Sequence, residues 1–236
     1  MAAPRNLDEL INKLRSIKDM GFVITHRAHD TGIGKTLEDL LEIPENNWRM
    51  PDVGEVELKT KRLESDSMLT IATKSPLPKG ANRSLFDACK YKDEEGEYNL
   101  HSTVYGSRPN NQGLRAMVLR DNLTIENPYD IDAYWPITIF DELVSKCNKI
   151  LLVFALTKGE RKSANEQFHF TEAYLLSTLS ETKFKNAIAN DKLKIDFRIG
   201  VYRTGKYKGK YHDHGTGFRI SKRDFLELFD SYEQLI

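Results

Sequence analysis

The sequence predicts a mixed α/β fold, a central sheet with helices on its faces. Three observations carry this. Leu7, Leu10, Ile11, Leu14 and Ile17 recur at helical spacing, whereas Val53–Arg62 alternates like a strand and Ile150–Leu156 is continuously apolar. With 236 residues, 30% charged and 39% hydrophobic, the chain suits one domain or two lobes sharing a core.

Taken in order, the first helix is stopped by Gly21. Thr36–Glu42 predicts a second short helix, entered through a loop over Thr31–Lys35. Val53–Arg62 is the first strand, and Met68–Thr73 the second, ended by Ser75-Pro76-Leu77-Pro78. From Gly80 to about Tyr134 the chain is rich in Asn, Gly and charge, which predicts long loops and short strands. Ile150–Leu156 reads as a buried strand and Phe168–Thr178 as another. Glu181–Asn190 reads as a helix. Lys194–Tyr202 and Gly217–Ile220 read as strands around the loop Arg203–Thr216. Ser221 caps a last helix with Phe225, Leu226, Leu228 and Phe229 as its apolar positions. Trp48 and Trp135 are expected to be packing residues.

Several classes are excluded. No apolar run approaches the roughly 18 residues of a membrane span. The N-terminus lacks the apolar stretch of a signal peptide. Cys89 and Cys147 lack metal-ligand spacing, so free thiols and a cytoplasmic location are expected. Gly34-Lys35-Thr36 resembles the end of a phosphate-binding loop, but His29 stands where that loop needs glycine, so no ATP site is expected.

The segment Pro51–Lys59, PDVGEVELK, carries chemistry. On a strand, Glu57 and Lys59 share a face, and Val56 and Leu58 point into the core. Glu55 shares the charged face by the same parity. Asp52 has the wrong parity for a regular strand, and a bend at Gly54 is needed to bring it round. Two carboxylates and a lysine then converge. Carboxylate oxygens suit Mg²⁺, a hard cation that keeps several waters. Such an ion polarises a phosphoryl oxygen and activates water. The lysine orients or deprotonates that water, or offsets transition-state charge. Glu38, on the preceding short helix, is placed to reach the same region.

The formal net charge is zero, from 35 basic and 35 acidic residues, but the distribution is uneven. Asp191–Arg223 carries ten Lys/Arg against Asp191, Asp196 and Asp213. Glycines and aromatics interleave with this run, a pattern that suits a polyanion surface. Arg198 and Arg219 lie on predicted strands, where the planar guanidinium can be aimed at a guanine edge. Lys206, Lys208 and Lys210 read as phosphate contacts, as do Arg203 and Lys61. Asp213 between His212 and His214 suits contacts to base edges.

Two strings in this order, TGIGKTLEDLL with PDVGEVELKT and DFRIGVYRTGKYKGKYHDHGTGFRI, resemble the MvaI/BcnI family of type II restriction endonucleases, particularly its MvaI-like branch. That family is related to the mismatch-repair nickase MutH. The likeness also includes LTIATKSP and weakens between about Lys92 and Asp141. It implies a PD-(D/E)xK restriction-endonuclease-like core with a DNA-recognition lobe. Residues 1–90 and 145–185 would form the catalytic lobe, 91–144 an insertion contacting DNA, and 186–236 a basic recognition lobe. It further implies Asp52 and Glu57 as Mg²⁺ ligands, Lys59 as the catalytic lysine and Glu38 as an auxiliary acid. Other implications are a monomer that encircles double-stranded DNA and nicks each strand in turn, and a cognate DNA methyltransferase as genetic partner. Thr73 stands where BcnI-like members have histidine, and HDHG follows the MvaI-like pattern, so the expected site is CC(A/T)GG. Tyr211 departs from the pattern, where a smaller residue is expected. The alternatives are a MutH-like nickase that needs an activating partner and a DNA-binding protein with an inactive core.

Overall fold

The structure is a computed structural model that describes residues 3–44 and 51–236. Trp48 lies outside the described residues. The chain divides into two compact units, residues 1–67, 143–180 and 229–236, and residues 68–142 and 181–228. Elements are numbered along the chain.

In the first unit, α1 (Leu7–Asp19) starts where the Asn6 side chain accepts the Glu9 N–H at 2.9 Å. The sheet runs β1 (Val23–Ile24), β10 (Gln167–Leu179), β9 (Lys149–Lys158), β2 (Val56–Arg62), and β14 (Phe229–Gln234) also pairs with β10. β9 is antiparallel to β10 and parallel to β2, so the sheet is mixed. The apolar run Ile150–Ala155 is buried throughout, as a strand covered on both faces must be. α1 and α2 (Gly32–Leu40) supply Leu10, Leu14, Ile33 and Leu37 to a core shared with Val56, Leu151, Val153, Phe168 and Phe170. Leu58 packs against that core too, so alternation puts Glu57, Lys59 and Lys61 on the other face of β2.

Two elements depart from expectation here. α2 begins at Gly32, four residues before the predicted start at Thr36. A Cβ on Gly32 would stand 2.2 Å from the Arg27 carbonyl oxygen, so this glycine serves close packing rather than a loop. The last helix is shorter than predicted. Ser221 caps it by accepting the Asp224 N–H at 3.1 Å, but α6 covers only Lys222–Phe225. Phe229–Gln234 becomes a strand instead, its backbone paired with β10.

In the second unit, the sheet runs β3 (Leu69–Thr73), β13 (Gly217–Ile220), β11 (Leu193–Val201), β5 (Tyr98–Val104), β4 (Tyr91–Lys92), with β12 (Tyr211–Asp213) also on β11. A three-stranded antiparallel sheet holds β6 (Arg115–Val118), β7 (Asn122–Glu126) and β8 (Tyr134–Pro136). Along β11, Leu193, Ile195, Phe197 and Ile199 are buried. Lys194, Asp196 and Arg198 alternate with them onto the opposite, polar face. α3 (Ala81–Cys89) replaces a predicted loop; Ala81, Leu85, Phe86 and Cys89 form its buried stripe. α5 (Glu181–Ala189) matches the prediction closely. Trp135 packs edge-on to Phe218 at 5.4 Å, and its indole N–H donates to the Lys74 carbonyl at 3.0 Å. The sequence assigns residues 68–90 to the catalytic lobe, but the pairing of β3 with β13 places Met68–Cys89 in the second unit. α4 (Ile139–Cys147) carries the chain back to the first unit. Among the described residues no helix is long and apolar enough to cross a membrane.

Candidate active site and nucleic-acid interface

Val53 and Val56 exchange both backbone hydrogen bonds, at 3.0 and 2.8 Å. Only Gly54 and Glu55 lie between them, and Gly54 has φ +56°, which glycine adopts at little cost. The expected bend is therefore a two-residue reverse turn. Asp52 stands just before this turn and Glu57 just after it, close enough for the Glu57 charge to act on the Asp52 carboxyl. Asp52 Oδ2 accepts the Leu58 N–H at 2.8 Å, tying the returning arm to β2. Glu55 does not share the charged face of β2. It occupies the turn, 80% exposed, and pairs with Lys149 at 2.7 Å.

Glu57 is 4% exposed. Its Oε1 accepts from Lys59 Nζ at 2.6 Å, and Lys146 Nζ stands 3.7 Å from the same oxygen. Among the described residues its Oε2 is buried with no hydrogen-bond partner. A buried carboxylate oxygen left unsatisfied costs free energy, and a cation beside it removes that cost. Two converging carboxylates suit a hard divalent ion. Among the described residues no group of three or more His, Cys, Asp and Glu is arranged to hold a metal, so such an ion would complete its shell with water or substrate oxygens.

Charge couples the cluster. Burial and the neighbouring Glu57 push the Asp52 carboxyl up from its usual range, against the Leu58 N–H, Lys59 and Lys146. Burial alone would lower the Lys59 ammonium, but Glu57 outweighs it and holds the lysine above its usual value. Cys147 is pushed up to about 11, chiefly by burial, and is an inert thiol here. Because Asp52 is raised in the folded protein, the unfolded chain releases that proton first. Ionised Asp52 therefore costs stability as pH rises from the ordinary carboxylate range through the raised value, and costs nothing below it. Asp52→Asn keeps an acceptor for the Leu58 N–H. It is expected to stabilise the metal-free protein by ~0.5–2 kcal/mol at neutral pH, with the gain vanishing in acid. Thermal melts across pH in a chelator check this; an Asp52→Asn protein that melts below wild type at pH 8 contradicts it.

Glu38 lies half-buried on α2. Its Oε1 and Thr60 Oγ1 stand 4.0 and 3.5 Å from the point a Gly34 Cβ would occupy. Glu38 thus borders the Thr60 side of β2, which alternates with the Glu57–Lys59 side. Lys61, expected at a phosphate, is 5% exposed, and its ammonium bonds Ser67 Oγ at 2.6 Å. Burial on β2 has turned it inward.

In the second unit the polar face of β11 collects the predicted readers. Arg198 is anchored by donation to the Gly215 and His214 carbonyls, each at 3.3 Å, and to Thr73 Oγ1 at 3.4 Å. The sheet register sets His101 beside Arg198, a neighbour that no motif in the sequence singles out. His212 stacks on Tyr202 at 4.0 Å and meets His214 at 4.0 Å. Burial, then His212, Arg198 and His101, hold His214 below its usual value, which favours neutral imidazole. Arg219 donates to Asp196 Oδ2 at 2.6 Å and to the Met68 carbonyl at 3.3 Å, so its fork is held within the protein. Asp196 shares the Arg198 face by strand parity, which is the signal that would have found it.

Asp213, expected to accept from a base, is engaged inside the unit. Its Oδ1 takes the Gly215 N–H at 2.7 Å and its Oδ2 takes Asn82 Nδ2 at 2.7 Å. It holds the turn that positions His214. Tyr211, the departure from the expected pattern, packs edge-on to Phe86 at 5.4 Å on the α3 side. Arg203 pairs with Asp93 and Glu95. An acidic turn thus occupies the cation expected at a phosphate. Lys206, Lys208 and Lys210 are exposed around a single 3-10 turn, Gly205–Tyr207.

The sequence profile of the MvaI/BcnI restriction endonuclease family matches residues 11–229. Among solved structures, one described as "Restriction endonuclease MvaI-cognate DNA substrate complex" is 34% identical, with a TM-score of 0.85 over 97% of this chain and 98% of that one. Another, "Restriction endonuclease MvaI in the absence of DNA", is 33% identical, with a TM-score of 0.56 over the full length of both chains. No curated protein matches the chain.

Proposed function

Because the chain belongs to the MvaI/BcnI restriction endonuclease family, whose members are site-specific deoxyribonucleases, we propose that it hydrolyses double-stranded DNA at CC(A/T)GG with Mg²⁺, as a monomer nicking each strand in turn. The observation that carries this is the Gly54 turn, which returns Asp52 to β2 at Leu58, beside Glu57, with Lys59 on Glu57 and one Glu57 oxygen without a partner among the described residues. Asp52 and Glu57 would hold the ion; Glu38, expected as an auxiliary acid, borders the Thr60 side of β2 and is not placed at that pair. Bound Mg²⁺ would polarise the scissile phosphate and lower the pKa of an attacking water. Lys59, held protonated beside Glu57, orients that water rather than acting as a neutral base.

For recognition, Arg198 contacts guanine from a fork anchored on main-chain carbonyls, and Arg219 does so once released from Asp196. His212 and His214 meet base edges, Thr73 accompanies the central pair, and Lys206, Lys208 and Lys210 position the phosphates. Asp213 supports the loop, and Arg203 and Lys61 keep their internal partners. A cognate DNA methyltransferase would protect the host sites. Digesting DNA of known sequence with the purified protein and Mg²⁺, then sequencing the ends, tests the site. Every end falling within CC(A/T)GG, with nicked circles preceding linear DNA, is expected. Ends at G·C-centred sites would move the chain to BcnI-like specificity, and scattered ends would remove the site altogether.

A further inference from the structure

Lys146 has no motif around it and belongs to no string that resembles the family. The fold nevertheless delivers it to the carboxylate pair. It lies in the last turn of α4, and β9 begins three residues later at Lys149. β9 runs parallel to β2, with Lys149 beside Val56 and Ile150 beside Glu57. The end of α4 therefore arrives at the end of β2 where the Gly54 turn folds back.

The two lysines at Glu57 differ in how they are held. Lys59 is hydrogen-bonded to Oε1 at 2.6 Å and 23% exposed. Lys146 stands 3.7 Å from the same oxygen and is 37% exposed. At that distance it is attracted to the carboxylate without a hydrogen bond to it. Its donors remain available to a ligand arriving from solvent. A lysine near a helix C-terminus also complements the helix dipole, which is the role it would have without any chemistry.

We propose that Lys146 is a second catalytic lysine, whose ammonium contacts a non-bridging oxygen of the scissile phosphate. This rests on the nuclease reading above. Attack of water on a phosphodiester forms one P–O bond, breaks another and releases a proton, while negative charge builds on the phosphoryl oxygens. Lys59 is committed to Glu57, so Lys146 is the cation at this site placed to meet that charge as it develops.

The test compares wild type, Lys146→Met, Lys146→Arg and Lys59→Ala on a duplex carrying CC(A/T)GG. Single-turnover rates are measured with saturating enzyme and Mg²⁺, and melting temperatures alongside. Lys146→Met is expected to cut roughly 10²-fold slower at an unchanged melting temperature, and Lys146→Arg to recover most of that loss. A second arm measures affinity, without metal, for a duplex whose scissile phosphate is an uncharged methylphosphonate. That change is expected to weaken wild-type binding and leave Lys146→Met binding unaltered, a coupling that a purely structural lysine would not show. Wild-type cutting with an equally fast Lys146→Met protein overturns the assignment alone. A methylphosphonate penalty equal in both proteins does the same. A wild-type protein that cuts no DNA overturns the nuclease reading and this assignment with it.

Discussion

Lys59→Ala is expected to lower the single-turnover cleavage rate by on the order of 10³ while leaving affinity for the DNA site nearly unchanged. The lysine sits on Glu57 at the carboxylate pair in the first unit, and the predicted readers of sequence belong to the second unit, around β11. Binding and cutting should therefore separate. Lys59→Arg should not restore full activity, because a planar guanidinium cannot reproduce a compact ammonium held at 2.6 Å from Glu57 Oε1. Rates from rapid quench, set beside affinities from fluorescence anisotropy, measure the two effects independently. A Lys59→Ala protein that cuts as fast as wild type would remove Lys59 from the chemistry. One that binds DNA poorly would show that Lys59 serves substrate binding instead.

Arg62→Met is expected to cost about 3–5 kcal/mol of stability. Arg62 closes the same strand that carries Glu57 and Lys59, and its guanidinium grips Glu166 with two hydrogen bonds, at 2.7 and 2.8 Å. The side chains are only 8% and 2% exposed. Glu166 also accepts the Lys162 N–H at 2.9 Å. Burial opposes ionisation of Glu166, yet Arg62 and that N–H prevail and hold its carboxyl below the usual range. A depressed acid stabilises the fold above its unfolded pKa, and that contribution is lost as pH falls through the folded value. Without the guanidinium, Glu166 would stay buried and lack its cation. Removing both partners in Arg62→Met/Glu166→Leu should recover much of the loss, since apolar replacements of a buried pair are often neutral. Urea unfolding at neutral pH measures this. A single-variant cost under about 1 kcal/mol would contradict it.

Elements with strong periodicity were legible in the sequence. The apolar run of β9, the strand at Gly217–Ile220 and the helix opened by Asn6 all stand where pattern places them. What escaped depended on packing that local sequence pattern does not encode. α2 starts early because Gly32 packs on Arg27, and no local rule distinguishes that glycine from a loop glycine. α3 hid in a polar stretch whose apolar positions are few. β14 exists because β10 offers an edge, whereas its own sequence continues a helical pattern.

The cluster divides in the same way. Parity alone exposed the problem at Asp52, and Gly54 named its solution. Lys146 was invisible because α4 and the parallel β2–β9 pairing bring it in, and neither is local to PDVGEVELK. On the recognition side, residue type suggested Asp213, Arg203 and Lys61 as DNA contacts. Each has an internal partner supplied by another part of its own unit, in Asn82, in Asp93 and Glu95, and in Ser67. Partners of that kind cannot be read from the basic segment alone.

On the function proposed above, the turned segment Pro51–Lys59 forms a divalent-metal site that cuts DNA. The most direct measurement incubates the purified protein with a duplex carrying one CC(A/T)GG site, in Mg²⁺ or in EDTA, and follows both strands. Both strands cut in Mg²⁺ by wild type, with neither cut in EDTA nor by Glu57→Gln in Mg²⁺, is the predicted result. Cutting that persists in EDTA, or a Glu57→Gln protein as active as wild type, would contradict it.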